Sequence, residues 1–122
     1  MTKRILVVED QADLRAILRD LLTGSGYEVV EAADGGEGVA KAKAERPDLI
    51  LMDIQLPVLD GYETTRQIKA DPNFKATPII AVSSYAMKGD EEKARAAGCE
   101  HYMTKPYSPM QLLRLIRSTV GE

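Results

Sequence analysis

A doubly wound α/β domain, one parallel sheet with helices on both faces, is predicted by three features of this chain. Short apolar, β-branched runs recur along it, segments of helical period separate them, and 122 residues suit one such domain but not two. Residues 1–122 are therefore read as a single domain. Five strand-then-helix repeats can be counted, with strands expected at 4–8, 27–32, 48–53, 78–83 and 100–104.

The helices have readable punctuation. In the first, Leu14, Ile17, Leu18, Leu21 and Leu22 fall at i, i+3, i+4, i+7 and i+8, an apolar stripe expected to face the core, and Gly24 and Gly26 end it. Asp34 and Glu37 form an Asp-x-x-Glu start signal for the second helix, which Pro47 closes, and Asp60 with Glu63 repeats the signal for the third. Gly98 is the expected C-cap of the fourth. In the fifth, Leu112, Leu113, Ile116 and Val120 make the core stripe, with Met110 and Leu115 on its edges.

Strand composition also predicts the order of the sheet. Strands covered on both faces read as continuous apolar runs, as the first, third and fourth do, whereas Tyr27-Glu28-Val29-Val30-Glu31-Ala32 and Glu100-His101-Tyr102-Met103-Thr104 are mixed and belong at the edges. Right-handed crossovers then favour the order 2-1-3-4-5, the (βα)5 flavodoxin-like arrangement. Its ligand crevice lies beyond the C-terminal ends of the first and third strands.

Composition narrows the function classes. The chain has 16 basic and 19 acidic residues, net charge −3, with the basic ones scattered, so the clustered footprint of a nucleic-acid binder is lacking. Met1-Thr2-Lys3-Arg4 is followed by only four apolar residues before Glu9 and Asp10, too few for a signal peptide, and no run approaches the roughly 20 residues of a membrane span. A lone cysteine, Cys99, has no internal disulfide partner and is read as a small buried apolar residue. The expectation is a cytoplasmic protein, free of membrane, that is a monomer or weak dimer. His101, alone among its neighbours, is not expected to bind metal.

The strand ends carry the chemistry. Ile5-Leu6-Val7-Val8 runs into Glu9-Asp10, and Leu49-Ile50-Leu51-Met52 runs into Asp53, so three carboxylates emerge from two strands that the sheet order makes neighbours. Like charges crowded together resist ionising unless a cation joins them. Ser83-Ser84 after the fourth strand and Lys105-Pro106 after the fifth add hydroxyls and an ammonium to the same rim. Hard oxygen donors of this kind suit Mg²⁺ and a phosphoryl group.

Taken together, Glu9-Asp10, Asp53, Pro57 with Asp60-Gly61, Ser83 and Lys105-Pro106 resemble, in order and spacing over essentially the whole chain, the receiver domain of bacterial two-component response regulators. Ala86-Met87-Lys88-Gly89-Asp90 is similar to the same stretch in DivK-type single-domain regulators and in hybrid sensor kinases. The CheY-like resemblance implies that Asp53 is the phosphoacceptor, attacking a phosphohistidine to give an acyl phosphate. It implies that Glu9, Asp10, Asp53 and the backbone carbonyl of Gln55 hold Mg²⁺, Glu9 through water. Lys105 is implied to pair with Asp53 at rest and with a phosphoryl oxygen afterwards. Ser83 is implied to donate its hydroxyl to that group, Tyr102 to turn inward as the aromatic switch, Lys105–Pro106 to be a cis bond, and Gly61 to be structural. The bland alternatives are a solvated strand-end aspartate, helix capping by Glu9 or Asp10, an exposed surface lysine, a strand-end serine and an edge-strand tyrosine.

Departures from the family pattern are Ser84, where a small residue such as Ala is usual after the switch hydroxyl, and Gln11, where many relatives carry Asn. Gln55 and Tyr85 flank the position of an attacking water, where their size and polarity tune phosphoryl lifetime. The chain ends at Glu122 directly after the fifth helix, so no output domain is expected and the signal must pass by protein contact. The expected function is a stand-alone response regulator, not a general turnover enzyme. A histidine kinase or histidine phosphotransferase is the partner on one side and a target reading the face of the fourth helix, fifth strand and fifth helix on the other. Gln11, Arg15 and Arg19 are the expected contacts to a kinase's helical hairpin. A relay intermediate or phosphate sink is the nearest alternative. An Mg²⁺-dependent aspartyl phosphatase needs a second Asp where Gln55 stands, and a flavin phosphate would be repelled by Glu9 and Asp10.

Overall fold

The computed structural model describes residues 2–84 and 89–121. Its elements are β1 (Arg4–Val8), α1 (Ala12–Gly24), β2 (Glu28–Ala32), α2 (Gly35–Glu45), β3 (Leu49–Asp53), α3 (Gly61–Lys69), a single 3₁₀ turn (Pro72–Phe74), β4 (Ile79–Ser83), α4 (Asp90–Ala97), β5 (His101–Thr104) and α5 (Pro109–Val120). All pairings are parallel and the order is β2-β1-β3-β4-β5, as the strand compositions predict. Tyr85, Ala86, Met87 and Lys88 lie outside the described residues.

Strand alternation splits the core in two. Ile5, Val7, Leu49, Leu51, Ile80 and Val82 point to one face, where Leu18 and Leu22 of α1 and Leu112, Leu113 and Ile116 of α5 cover them. Leu6, Val8, Ile50, Met52, Ile79 and Ala81 point to the other, with Ile68, Phe74, Ala94 and Cys99. The three central strands are buried along nearly their whole length, whereas β2 and β5 are partly exposed, and this is the physical content of their mixed sequences.

The helix punctuation is local chemistry. Asp34 and Asp60 accept from the backbone N–H of Glu37 and Glu63 at 2.8 and 2.9 Å, and Gly98 caps α4 at φ 119°. A complete capping box on α5, where Ser108 and Gln111 bond reciprocally, follows a Ser-x-x-Gln pattern with Pro109 at the first helical position, a signal the sequence reading passed over. The 3₁₀ turn also escaped it, being too short to show a period. Asp71 caps it and Phe74 buries beneath it.

The apolar stripe of α1 is only half core. Leu18 and Leu22 are buried, but Leu14 and Leu21 are partly exposed and Ile17 is 61% exposed. Their i, i+3, i+4 spacing places all five on one broad face, and the sheet covers only its inner side. The outer side borders a groove of about 300 Å³ against Pro106, Tyr107 and Pro109.

The turn from β3 into α3 is held by close backbone approach. Gly61 N–H donates to the Ile54 carbonyl at 3.0 Å, and a Cβ at Gly61 would land on the Asp53 carbonyl oxygen and 2.7 Å from Ile54 Cα. Backbone cannot step aside as a side chain can. Nearby, Val58 stands fully exposed at φ 65°, a left-handed conformation unfavourable for a β-branched residue, so this turn carries strain. Gly61→Ala is expected to cost about 2 kcal/mol or more in urea unfolding, since it forces the backbone of Asp53 itself to move. An unfolding midpoint equal to that of the wild type would contradict this.

Candidate functional site

The sheet register delivers the acids to one place. Val8 pairs with Met52, so the residues that follow, Glu9 and Asp53, leave adjacent strands at the same height. Carboxylate oxygens of Glu9, Asp10 and Asp53 lie within 4.8 Å of one another. Glu9 and Asp53 are buried, at 2% and 6% exposure, while Asp10 is open to solvent. The donor set is all hard oxygen, which fits a small divalent cation and not a soft one.

Capping is not what occupies these acids. The N-cap of α1 is Gln11, without a side-chain cap bond. Glu9 Oε2 does accept from the Gln11 N–H at 3.1 Å, so Glu9 serves the helix entrance and the cluster together.

Lys105 spans the pair. Its ammonium lies 3.1 Å from Glu9 Oε1 and 3.6 Å from Asp53 Oδ2, so the resting partner is Glu9 more than the Asp53 that the sequence implied. Burial, then the hydrogen bond and charge of Glu9, push Asp53 up to about 7 against the opposing pull of Lys105 and the Gln55 N–H. Burial also raises Glu9, but hydrogen bonds from Asp53 and the Gln11 N–H, with Lys105 beside it, outweigh that and hold Glu9 below its ordinary value. Glu9 is thus the ionised partner for the ammonium. The Lys105–Pro106 bond is cis, and Lys105 N–H donates to the Ser83 carbonyl at 2.7 Å, fixing the chain from which the ammonium reaches in.

Ser83 is fully buried at the end of β4. Gln55 Nε2 donates to its Oγ at 2.9 Å, Gln55 Oε1 accepts from the Ser84 N–H at 2.8 Å, and the Gln55 N–H donates to Asp53 Oδ1 at 3.1 Å. Sequence reading singled out Gln55 for its backbone carbonyl and its bulk, and this side-chain bridge between two strand ends was not visible in it. No spacing rule joins positions 28 residues apart.

Tyr102 is half-buried against the core face formed by the even-numbered residues of β1. Tyr107, which the sequence reading passed over, lies against Glu9 and Lys105 and lines the groove beside α1. Burial raises its phenol, with the Glu9 and Asp53 charges adding to the shift. One further expectation needs correction, since Leu14 and Ile17 front the groove and are not core. Arg15 on the same helix donates to the Glu9 carbonyl at 2.8 Å and lies 3.3 Å from Glu31. Arg19 likewise lies 3.6 Å from Glu31 and 3.3 Å from Asp20.

A cluster of three acids at the ends of β1 and β3, with a lysine across it, on a 2-1-3-4-5 sheet, defines a flavodoxin-like α/β module whose switch point could hold a small hard cation. A family model of the response regulator receiver domain matches residues 5–117, and the chain belongs to that family. It is 44% identical over 122 residues to the polar-differentiation response regulator DivK of Brucella abortus (strain 2308), covering 100% of this chain and 99% of that protein. Among solved structures it is similar to the receiver domain of sensor histidine kinase PA1611 from Pseudomonas aeruginosa PAO1, with TM-score 0.91 and 39% identity over all of both chains. That structure has a magnesium ion coordinated in its active-site cleft. The chemotaxis protein CheY4 of Vibrio cholerae is also similar, with TM-score 0.93, 30% identity, and 98% and 99% of the two chains covered. Receiver domains are signalling modules and not general turnover enzymes. No helix among the described residues is long and apolar enough to cross a membrane.

The raised Asp53 has a consequence for stability without metal. Its neutral form is favoured by the fold, so its contribution is fully present below about pH 4 and is lost as pH rises through about 7. Asp53→Asn is expected to raise unfolding free energy in the presence of chelator by roughly 1 to 3 kcal/mol at pH 8 and by little at pH 4. An equal difference at both pH values, measured by urea unfolding, would remove Asp53 as the cause.

Proposed function

We propose that this chain is a stand-alone response regulator that accepts a phosphoryl group from a phosphohistidine onto Asp53 and signals by protein contact. The observation that carries the reading is the convergence of Glu9, Asp10, Asp53 and Lys105 within one small volume at the switch point of the sheet. The DivK relative, matched over 99% of its length, supports a regulator that works without an attached output domain.

Glu9, Asp10, Asp53 and the Gln55 backbone carbonyl would hold Mg²⁺, which supplies positive charge to a phosphoryl group at this site. The ion in the PA1611 receiver supports that choice of metal. Positive charge there also favours the ionised, nucleophilic Asp53 over its neutral form. A carboxylate oxygen of Asp53 forms the new bond to phosphorus, and the bond from phosphorus to the donor's imidazole nitrogen breaks, returning a neutral histidine once that nitrogen is protonated. Lys105, already directed at Asp53 Oδ2, faces the negative charge that builds on the transferred group. Ser83 supplies a hydroxyl from β4, and its movement toward the phosphoryl group would be felt at Tyr102 and the face formed by α4, β5 and α5.

The groove between α1 and the chain after β5 would seat the donor. Ile17 and Leu14 form one wall, Pro106 and Tyr107 the other, with Glu9 and Lys105 at its inner end, so an amphipathic helix lying there would bring a histidine to the acid cluster. The lining of this groove supports the apolar residues of α1 as contacts to the partner beside the Gln11, Arg15 and Arg19 expected from the sequence. A relay or sink role uses the same chemistry run toward a second histidine.

Incubation with acetyl phosphate and Mg²⁺, followed by intact mass, is expected to show one added phosphoryl group on the wild type and none on Asp53→Asn or in excess chelator. An adduct that persists in Asp53→Asn would remove the reading. Steady release of phosphate from many monoesters would favour the phosphatase instead. For the groove, Ile17→Glu is expected to slow transfer from a phosphorylated histidine protein about tenfold or more while acetyl phosphate labelling changes less than about twofold. Equal slowing of both donors would place the defect in the site and not in docking.

A further inference from the structure

Beyond the backbone bond from Ile54 N–H to the Val82 carbonyl, a side chain among the described residues continues to tie the ends of β3 and β4 together. It is Gln55. Its amide nitrogen donates to Ser83 Oγ and its carbonyl oxygen accepts from the Ser84 N–H, at 2.9 and 2.8 Å, so the last residue of β4 and the one that follows it are held by one carboxamide. Its own backbone N–H meanwhile donates to Asp53 Oδ1.

From this geometry we infer that Gln55 is a positioning residue, a brace that holds the Ser83–Ser84 turn in its resting place and is released when Asp53 carries a phosphoryl group. The inference rests on the receiver reading for the event that releases it. Three physical points set its direction. A backbone N–H has one hydrogen to give, and that of Ser84 is committed to Gln55, so it cannot also serve a group arriving on Asp53. Ser83 is buried and anchored through the same carboxamide, so bringing its hydroxyl to such a group requires the turn to shift against both bonds. Phosphorylation of Asp53 also draws electron density from its carboxyl oxygens and weakens the acceptor for the Gln55 N–H, which loosens the residue on which the brace stands.

The brace therefore acts on the balance between two arrangements of one turn and not on the chemistry at phosphorus. Removing it shifts that balance by the worth of one or two net hydrogen bonds, roughly three- to tenfold. Gln55→Leu keeps comparable bulk and removes the carboxamide, and Gln55→Ala provides a second variant should the first fold poorly.

The test uses ¹⁵N-labelled protein and two readouts. Hydrogen exchange of the Ser84 amide, without any ligand, is expected to accelerate about three- to tenfold in Gln55→Leu. Titration with beryllofluoride and Mg²⁺, a non-covalent phosphoryl mimic, followed through the amide signals of Tyr102 and Thr104, is expected to reach half-conversion at a concentration lower by a similar factor. Unchanged Ser84 exchange in both variants would show that no brace exists. Faster exchange with an unchanged or higher half-conversion concentration would overturn the direction, leaving Gln55 as a support of the accepting state or an inert contact. A wild type that does not respond to beryllofluoride would remove the receiver reading and the coupling with it, while the exchange readout would still report the tie itself.

Discussion

Crowding of carboxylates at two adjacent strand ends is the constraint around which this molecule is arranged. Glu9 and Asp53 are both buried, and each would resist ionising beside the other in a medium poorer than water at screening charge. Three features contain the repulsion. Asp53 is pushed toward its neutral form, Glu9 is held below its ordinary value by hydrogen bonds from Asp53 and the Gln11 N–H, and Lys105 lies across both. The arrangement is poised because it is incompletely neutralised. A divalent cation would relieve it, and a phosphoryl group accepted there, as proposed, would restore negative charge where the Lys105 ammonium is already directed.

The fold supplies that arrangement cheaply because parallel strands bring their C-terminal ends to one rim. Each contributes a residue of different chemistry from a backbone held rigid by ladder bonds: acids from β1 and β3, hydroxyls from β4, an ammonium from β5. Cross-ties then link the ends. Ile54 N–H bonds the Val82 carbonyl, Lys105 N–H bonds the Ser83 carbonyl, and Gly61 packs onto the backbone of Asp53 and Ile54 so closely that no side chain fits. A change at Asp53 is therefore mechanically adjacent to the turn after β4 and the chain after β5, the two segments that lead to the outer face. Adjacency is what a switch of this kind requires, together with two arrangements of nearly equal free energy.

Much of this was legible in the linear chain, and the reasons are specific. Continuous against mixed strand composition placed β2 and β5 at the edges because burial on one face or two is written into alternate residues. Asp34, Asp60 and Gly98 marked helix ends because capping is a bond or a backbone conformation within four residues. Glu9, Asp10, Asp53 and Ser83 were found because they end or follow apolar runs whose order in the sheet could be argued, and Lys105 because it follows the mixed edge strand onto the same rim. What escaped was short or relational. The turn at Pro72–Phe74 has no period, and the role of Ile17 depends on how far the sheet extends beneath α1, which the helical stripe alone does not reveal.

The amino-acid sequence by itself determined the class of fold, the strand order, the acid cluster and the chemistry suited to it, because each follows from patterns local to an element or from the topology those patterns allow. Only the tertiary structure decided how the site is wired. Lys105 favours Glu9 over Asp53, Arg15 turns inward to Glu31 and the Glu9 carbonyl, and Gln55 reaches across to Ser83 and Ser84. These partners are chosen by distances between side chains far apart in the chain, and by competition among charges for the same few hydrogen-bonding groups. Neither is a property of any one segment.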